Sequence, residues 1–264
     1  MEKHYTLITG GSMGIGLALA EEFAKNGHDL ILVARFTGEL LKAKEQLLPY
    51  GVEVIIKQRD LFDPQAAFDL YNELVSEGRV VEILVNNAGQ GLYGLFEYTD
   101  IRRELAIINL NICSMVVLSK FFLKDMLMRG RGRILNLSSI ASKSPGPWQS
   151  VYHGTKAFVQ SFSEALRSEV KDRGIVITAL LPGATDTDFF RKAGMEQSRI
   201  AQDKDQLADP ADVARDGYKA LMANADMVVS GFKNKLNVWM SNIMPDSIAA
   251  DNMKSQQEPA DGEV

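Results

Sequence analysis

The sequence predicts a doubly wound α/β fold, built on a single seven-stranded parallel sheet with helices on both faces. Short apolar runs alternate along the chain with longer segments of helical periodicity, which is typical of parallel sheets. The 264 residues, 46% of them hydrophobic, are enough to bury one large core. We therefore expect one domain over residues 1–250 and a disordered, polar and acidic tail over residues 251–264.

Composition argues against several classes of protein. A net charge of −5 argues against a nucleic-acid binder. One Cys and eleven Met fit a reduced intracellular protein, and no charged leader precedes the first predicted strand, so we expect a cytoplasmic location. Residues 105–123 approach the length of a membrane span, but they carry two Asn, two Ser and a Lys. A buried helix is therefore expected there instead of a membrane span.

The first predicted strand, residues 5–9, runs into a glycine-rich turn and then a helix that ends near Asn26. Such a turn lets a phosphate approach the backbone, and the helix N-terminus favours its negative charge. The spacing is G-x-x-x-G-x-G, not the commoner G-x-G-x-x-G. A purely structural turn is the alternative. The nucleotide-binding interpretation, favoured by the strand and helix on either side, assigns a cofactor to Gly10, Ser12, Met13, Gly14, Ile15 and Gly16.

The second predicted strand, residues 29–34, ends at Arg35. In a dinucleotide-binding fold an acidic residue here holds the ribose hydroxyls, whereas an arginine can meet a 2′-phosphate. The strand end carries no carboxylate, which predicts NADP(H) in preference to NAD(H). Phe36 follows where a second basic residue would strengthen this prediction, and an Arg35 that faces only solvent is the alternative.

Two further strands are predicted at residues 52–57 and 81–85, with helices at 38–48 and up to about residue 77. Asp60 could reach the adenine edge. The small residues after the fourth strand, Asn-Asn-Ala-Gly, would let the cofactor lie close against the backbone. The cofactor-binding residues predicted from these turns are Asp60, Leu61, Asn87, Ala88 and Gly89.

A long apolar helix is predicted at residues 101–128, followed by a fifth strand at 133–137. Asn111 lies inside the helix, either as a satisfied core amide or as a polar link to a site. Ser139 follows the strand at its carboxyl end, where ligands bind in open α/β sheets. Its hydroxyl could orient a substrate carbonyl, although a serine at a strand end is common without chemistry.

Tyr152 and Lys156 lie four residues apart in a predicted helix over residues 151–173, so both side chains share one face. A tyrosine normally ionises near pH ~10, and a nearby ammonium favours the phenolate and lowers that pKa. The pair could therefore exchange a proton with a carbonyl or an alcohol. An exposed pair on a solvated helix face is the alternative for an isolated copy of this motif.

The last part of the chain adds a sixth strand at 176–181, a helix from Asp209-Pro210 to about residue 222, and a seventh strand at 227–230. Residues 188–206 are interpreted as a substrate lid or, alternatively, an ordinary surface excursion. The amphipathic residues 235–249 are expected to cover the core or a neighbouring subunit, with membrane-surface contact as a minor alternative. After the sixth strand, Pro182, Gly183, Thr185 and Thr187 are predicted to hold a carboxamide or phosphate.

Together these motifs resemble the short-chain dehydrogenase/reductase family, over roughly the whole chain to Gly231. The stretches Leu-Val-Ala-Arg, Leu-Pro-Gly-Ala-Thr-Asp-Thr-Asp-Phe and Gly-Phe-Lys-Asn-Lys-Leu are similar to a bacterial subgroup often called DltE-like. The motifs that carry the resemblance are Thr9-Gly10-x-x-x-Gly14-x-Gly16, Asp60, Asn86-Asn87-Ala88-Gly89, Asn111, Ser139, Tyr152-x-x-x-Lys156 and Pro182-Gly183.

The resemblance implies a Rossmann-type domain in which Tyr152 is the general acid or base. Lys156 would lower the tyrosine pKa and hold the nicotinamide ribose, and Ser139 would hold the substrate oxygen. Asn111 would keep a water that connects Lys156 to solvent. His153 replaces the small residue often found after this tyrosine, and it is expected to touch substrate or fill space without acting in catalysis.

The function expected from this resemblance is NADPH-dependent reduction of a small, apolar carbonyl compound, or oxidation of the matching secondary alcohol. Helices 101–128 and 151–173 would form the interface of a homodimer or homotetramer, and no metal site is predicted. The alternatives are an NAD-linked alcohol dehydrogenase and a non-catalytic nucleotide-binding sensor or scaffold.

Overall fold

A seven-stranded, all-parallel sheet forms the centre of the computed structural model, which describes residues 3–203, 205, 207–231, 234–236, 238 and 246–259. The strand order is β3-β2-β1-β4-β5-β6-β7. The predicted fold class is therefore confirmed. The strands are β1 His4–Thr9, β2 Asp29–Ala34, β3 Val54–Gln58, β4 Val80–Asn86, β5 Gly132–Leu137, β6 Ile175–Leu181 and β7 Met227–Val229.

Helices cover both faces of this sheet because alternate residues of each strand point to opposite sides. Leu7 of β1 belongs to one buried cluster, with Phe122, and its neighbour Ile8 belongs to the other, with Phe23. The helices described are α1 Gly14–Lys25, α2 Thr37–Leu47, α3 Gln65–Ser76, α4 Ile101–Ile108, α5 Met115–Arg129, α6 Ser150–Val170, α7 Phe189–Ala193, α8 Arg199–Gln202, α9 Pro210–Met222 and α10 Asp246–Gln257.

The helix predicted at 101–128 is present, but its winding is not uniform. A π-helical segment, Asn109–Ser114, joins α4 to α5 without breaking the rod. Such wider turns inside α-helices are rare and occur frequently at functional sites. This segment contains Asn111, which is buried.

Length and composition alone would allow the rod Ile101–Arg129, whose most apolar 18-residue stretch has a mean hydropathy of 1.8, to cross a membrane. This is weak evidence, because the core helix of a globular protein passes the same test. Leu118, Phe122 and Met126 of this rod pack in the cluster that contains β1 and β4 residues. Those contacts account for the apolar character of one side of the helix.

Composition predicts disorder from residue 251, whereas the structure describes residues 251–257 as the second half of α10. Composition suggested disorder because this stretch is polar, yet Ala249 and Gln257 are buried. The segment after the helix is held by a hydrogen bond from Arg199 N to Glu258 O and by a bridge between Ser198 and Pro259. Residues 260–264, and Trp239, Met240, Ile243 and Met244 of the predicted amphipathic stretch, lie outside the described residues.

Candidate active site

A cavity of about 310 Å³ opens at the carboxyl ends of the central strands. The chain reverses its direction of winding between β1 and β4, and such a switch point leaves a crevice where ligands bind. The cavity is lined by Gly10, Ser12, Met13, Gly14, Ile15, Gly16, Arg35, Asp60, Leu61, Asn87, Ala88, Gly89, Ser139, Tyr152, Lys156, Pro182, Gly183, Thr185 and Thr187. Every site residue predicted from the sequence therefore lines it, apart from Asn111.

The glycine-rich turn forms a cradle that only glycine permits. A Cβ on Gly16 would lie 2.1 Å from Gly10 O, and one on Gly10 would lie 2.8 Å from Asn87 Nδ2. Gly10 and Gly14 also adopt positive φ angles of 65° and 53°. Met13, the residue before α1, makes no side-chain cap to the helix. The turn thus presents open backbone and helical N–H groups to the cavity, a surface that suits the phosphates of a dinucleotide.

Arg35 lies at the rim of this cleft, between two aromatic rings. Its guanidinium carbon is 5.1 Å from the centroid of Phe36 and 4.9 Å from that of Phe62. Cation–π contacts of this kind hold the flat guanidinium while its N–H groups stay available to a phosphate. Phe36, which weakened the sequence argument for NADP, therefore takes part in positioning Arg35.

Sequence reasoning missed a carboxylate in the same region, that of Glu39. Ser12 Oγ donates to Glu39 Oε2 at 3.2 Å, and both residues line the cavity. Glu39 comes from the first turn of α2 and not from the end of β2, where the sequence analysis looked for an acidic residue. Arg35 and Glu39 therefore place opposite charges in the same lining of the cavity.

Ser139, Tyr152 and Lys156 meet beneath the cavity as predicted, but their electrostatics differ from the expectation. Burial raises the pKa of Tyr152 to about 12, and the hydrogen bond with Ser139 offsets this only in part. Lys156 does not lower that pKa. Its ammonium lies 5.8 Å from the centre of the tyrosine ring and donates to Leu137 O at 2.8 Å. Burial also lowers the pKa of Lys156 to about 8.

Asn111 is satisfied by protein partners. Its Oδ1 accepts from Gln90 N at 3.0 Å, and its Nδ2 donates to Gln90 O at 3.0 Å and to Thr155 Oγ1 at 2.9 Å. The interpretation as a satisfied core amide is thus confirmed, and it does not exclude a link to the site. A Cβ on Gly89 would lie 3.3 Å from both Asn111 Oδ1 and Lys156 Nζ, so the two side chains flank the same backbone.

The hydroxyl groups after β6 are engaged within their own loop. Thr185 Oγ1 donates to Gly183 O at 2.9 Å, and Thr187 Oγ1 accepts from Phe189 N at 3.3 Å. Gly14 packs against Thr187, whose Cγ2 would be 3.1 Å from a Cβ there. This loop therefore lies directly beside the glycine-rich turn.

The apolar part of the far wall of the cavity comes from the predicted lid region and the C-terminal helix. The ring of Phe189 lies 5.2 Å from that of Tyr152. The lid segment 188–206 contains α7 and α8, and its role as a lid stays a prediction. Further apolar lining residues are Phe190, Met195, Ile200 and Met253.

A polar cluster closes the same wall, and sequence reasoning missed two of its members, Gln149 and Gln257. His153 Nδ1 donates to Ser144 O at 2.8 Å, so its Nε2 accepts from Gln257 Nε2 at 3.0 Å. Burial lowers the pKa of His153, which favours this neutral form. A Cβ on Gly146 would lie 2.1 Å from the imidazole, so the ring fills a tight space. His153 and Gln257 are 104 residues apart, so only the tertiary structure reveals this cluster.

The family model described as short chain dehydrogenase matches residues 4–198. A very-long-chain 3-oxoacyl-CoA reductase of Anas platyrhynchos is 34% identical over 186 residues, 67% of this chain and 58% of that protein's own length. A probable NADP-dependent dehydrogenase of Haemophilus influenzae is 31% identical over 220 residues, 81% of this chain and 86% of that protein.

A solved structure gives the same result. The short-chain dehydrogenase from Sphingobium yanoikuyae in complex with NADPH superposes with a TM-score of 0.80 at 29% identity, over 92% of this chain and 94% of that one. Sequence and fold thus lead to the same group of proteins.

Proposed function

Because the chain belongs to the short-chain dehydrogenase family, whose members act on CH–OH and C=O groups with NAD(P), we propose that it reduces a ketone or aldehyde with NADPH. The observation that carries the proposal is the joint placement of Ser139, Tyr152 and Lys156 beside a glycine-lined nucleotide cleft. The protonation state of the tyrosine supports its role as the acid. A phenol with a pKa of about 12 stays protonated at neutral pH, so it is prepared to donate a proton.

In the proposed reaction the nicotinamide, when bound, supplies a hydride to the carbonyl carbon. Tyr152 donates its phenolic proton to the carbonyl oxygen, which becomes the alcohol. Ser139 hydrogen-bonds the same oxygen and stabilises the charge that develops on it. The tyrosine then needs a proton to return to its starting form, and the neighbouring Lys156 ammonium is its source.

Asn111 is a positioning residue in this proposal. Its three hydrogen bonds fix Gln90 and Thr155, and its side chain lies beside Gly89, as does that of Lys156. A water held between this amide and Lys156 would return protons from solvent to the ammonium. The buried π-helical turn that carries Asn111 gives the amide a fixed place.

The cofactor preference rests on Arg35. Its guanidinium, held between Phe36 and Phe62, suits a 2′-phosphate, which supports NADP(H). Glu39 acts in the opposite direction, since a carboxylate repels the phosphate but accepts a hydrogen bond from a free ribose hydroxyl. This carboxylate favours one second candidate, an NAD-linked alcohol dehydrogenase on the same scaffold.

The substrate in this proposal is apolar. The ring of Phe189 is tilted by 49° against that of Tyr152, and Phe190, Met195, Ile200 and Met253 add further apolar surface to the same wall. Such a wall gains free energy by excluding water from an apolar ligand. The duck relative is named for very-long-chain 3-oxoacyl-CoA, which fits a substrate with a large apolar part.

Calorimetry with NADPH and NADH, on wild type and on Tyr152→Phe, tests the proposal. We expect tight NADPH binding, weaker NADH binding and an unchanged affinity in the variant. A panel of ketones is then assayed with Tyr152→Phe as the blank. If neither nucleotide binds, the glycine-rich turn has another role and the proposed activity is wrong. If both proteins bind NADPH and turn over ketones equally, Tyr152 is not the acid.

A further inference from the structure

Lys192, near the end of α7, extends to the glycine-rich turn on the opposite side of the cleft. Its Nζ lies 2.8 Å from Met13 Sδ, and both residues line the cavity. A thioether sulfur is only a weak hydrogen-bond acceptor. A strongly hydrated ammonium placed against it therefore keeps most of its capacity to bind an anion.

The nearest carboxylate, that of Asp188, pairs with another cation, although the charge of Lys192 also helps to lower the Asp188 pKa. Asp188, one turn earlier, accepts from Arg191 Nε at 2.9 Å and is paired with that guanidinium. Over the described ranges, Lys192 forms no ion pair within 4.0 Å. Arg191 and Lys192 are thus adjacent in sequence but differ in their electrostatic surroundings.

Lys192 contacts a residue at the N-terminus of a helix. Met13 immediately precedes α1, a helix whose first N–H groups have no side-chain cap. The partial positive charge of that helix N-terminus and the Lys192 ammonium therefore converge on the same part of the cleft. No side chain covers the backbone there, because Gly10, Gly14 and Gly16 occupy positions where a Cβ would collide with neighbouring protein atoms.

We infer that Lys192 binds the pyrophosphate of the dinucleotide and thereby fastens α7 over the cleft. The inference rests on the proposed function. The ammonium would form a charge-assisted hydrogen bond to a phosphate oxygen, from the side opposite the glycine-rich turn. No bond is made or broken, and the sulfur contact is exchanged for the phosphate.

The same helix connects this contact to the reacting groups. Phe189, three residues before Lys192, lies on a neighbouring part of the α7 surface, and its ring contacts that of Tyr152. Lys192 O also accepts from Gln90 Nε2 at 3.2 Å, on the loop that Asn111 holds. A phosphate held by Lys192 would therefore position Phe189 against Tyr152 and complete the apolar wall.

Calorimetry with NADPH, NADH and ADP-ribose tests the inference, because all three contain the pyrophosphate and ADP-ribose lacks the nicotinamide. Lys192→Gln is expected to raise all three dissociation constants by about tenfold, the loss of one charge-assisted contact. Arg191→Gln, the matched control, should change them by less than about twofold, since that guanidinium is already paired. The dissociation constants of Lys192→Gln should also depend less steeply on salt than those of wild type.

The possible failures are distinguishable. If wild type binds none of the three ligands, the proposed function and this inference both fall. If wild type binds them and Lys192→Gln binds them equally well, with the same salt dependence, only the role of Lys192 is overturned. Lys192→Arg keeps the charge and should retain affinity within about threefold. A loss of affinity in Lys192→Arg as large as in Lys192→Gln would show that packing, not charge, is responsible.

Discussion

Gln257 Nε2 donates a hydrogen bond of 3.0 Å to His153 Nε2, across a sequence separation of 104 residues. The same amide lies 3.4 Å from Gln149 Oε1, and Tyr93 donates its hydroxyl to Gln257 O. The C-terminal helix is thereby attached to the residue next to Tyr152. A segment whose composition suggested a free tail is part of the wall of the candidate active site.

Gln257→Ala should raise the KM for an apolar ketone several-fold and leave NADPH affinity unchanged. The variant removes both side-chain hydrogen bonds and leaves buried His153 Nε2 without its partner, at a cost of about 1–3 kcal/mol. Steady-state kinetics and nucleotide calorimetry measure the two effects. Ser255→Ala is the control, because Ser255 is exposed and bonds only within α10. An unchanged KM in Gln257→Ala would exclude the C-terminal helix from the substrate site.

Stability should fall as the pH decreases below about 6.5, in part because of His153. Burial lowers its folded-state pKa below the ordinary histidine value of 6.5, so the unfolded chain takes up a proton that the folded chain resists. Stability from this group is present above pH 6.5 and is lost at lower pH, by at most about 1.4 kcal/mol per pH unit.

Urea unfolding of wild type and His153→Asn between pH 5.5 and 7.5 measures this effect. The variant should show a smaller loss of stability across the range. His28, whose pKa is also lowered by burial, supplies the comparison variant His28→Asn. If stability fell equally with pH in wild type and His153→Asn, the pH dependence could not be assigned to His153.

Tyr152→Phe should lower the turnover number for ketone reduction by about 10²- to 10⁴-fold, the usual contribution of a positioned acid. In wild type the rate should stay flat from pH 6 to 7.5, since a phenol with a pKa of about 12 is protonated throughout. It should decline above about pH 8 as Lys156 loses its charge. A pH–rate profile measures this, and an increase in rate between pH 6 and 7.5 would speak against an acid of this pKa.

Arg35→Ala and Glu39→Gln should shift cofactor preference in opposite directions. Loss of the guanidinium removes a charge-assisted contact to the 2′-phosphate, so NADPH affinity should fall about tenfold and NADH affinity much less. Removal of the Glu39 charge should strengthen NADPH binding and weaken NADH binding. Calorimetry measures the dissociation constants of both nucleotides. Glu45→Gln, at an exposed position in α2, is the control. Equal effects of Arg35→Ala on both nucleotides would remove the 2′-phosphate assignment.

Leu105→Asp should shift the protein towards the monomer if the predicted interface helices, 101–128 (α4 to α5) and 151–173 (α6), join two subunits. Leu105 and Ile101 are 53% and 60% exposed, and Phe158 of α6 adds a further exposed apolar ring. A charge at the centre of such a patch would be costly to bury. Light scattering after gel filtration measures the mass. Leu48→Asp is the control, at an exposed position outside both helices. An unchanged mass in Leu105→Asp would place any interface elsewhere.

The sequence by itself determined the succession of strands and helices along the chain and the residues that meet at the carboxyl edge of the sheet. Those features follow from local rules, namely hydrophobic periodicity, glycine at positions with no room for a side chain, and the spacing of Tyr152 and Lys156. The family resemblance added the roles of these residues.

Only the tertiary structure decided the electrostatics and the distal wall of the site. The raised pKa of Tyr152 depends on desolvation by the packed chain, and the Leu137 contact of Lys156 depends on how α6 packs against β5. Glu39 and Gln257 reach the cavity from helices distant in sequence from the catalytic motifs. The local sequence pattern cannot show these features, because desolvation and long-range hydrogen bonds arise only when the chain folds.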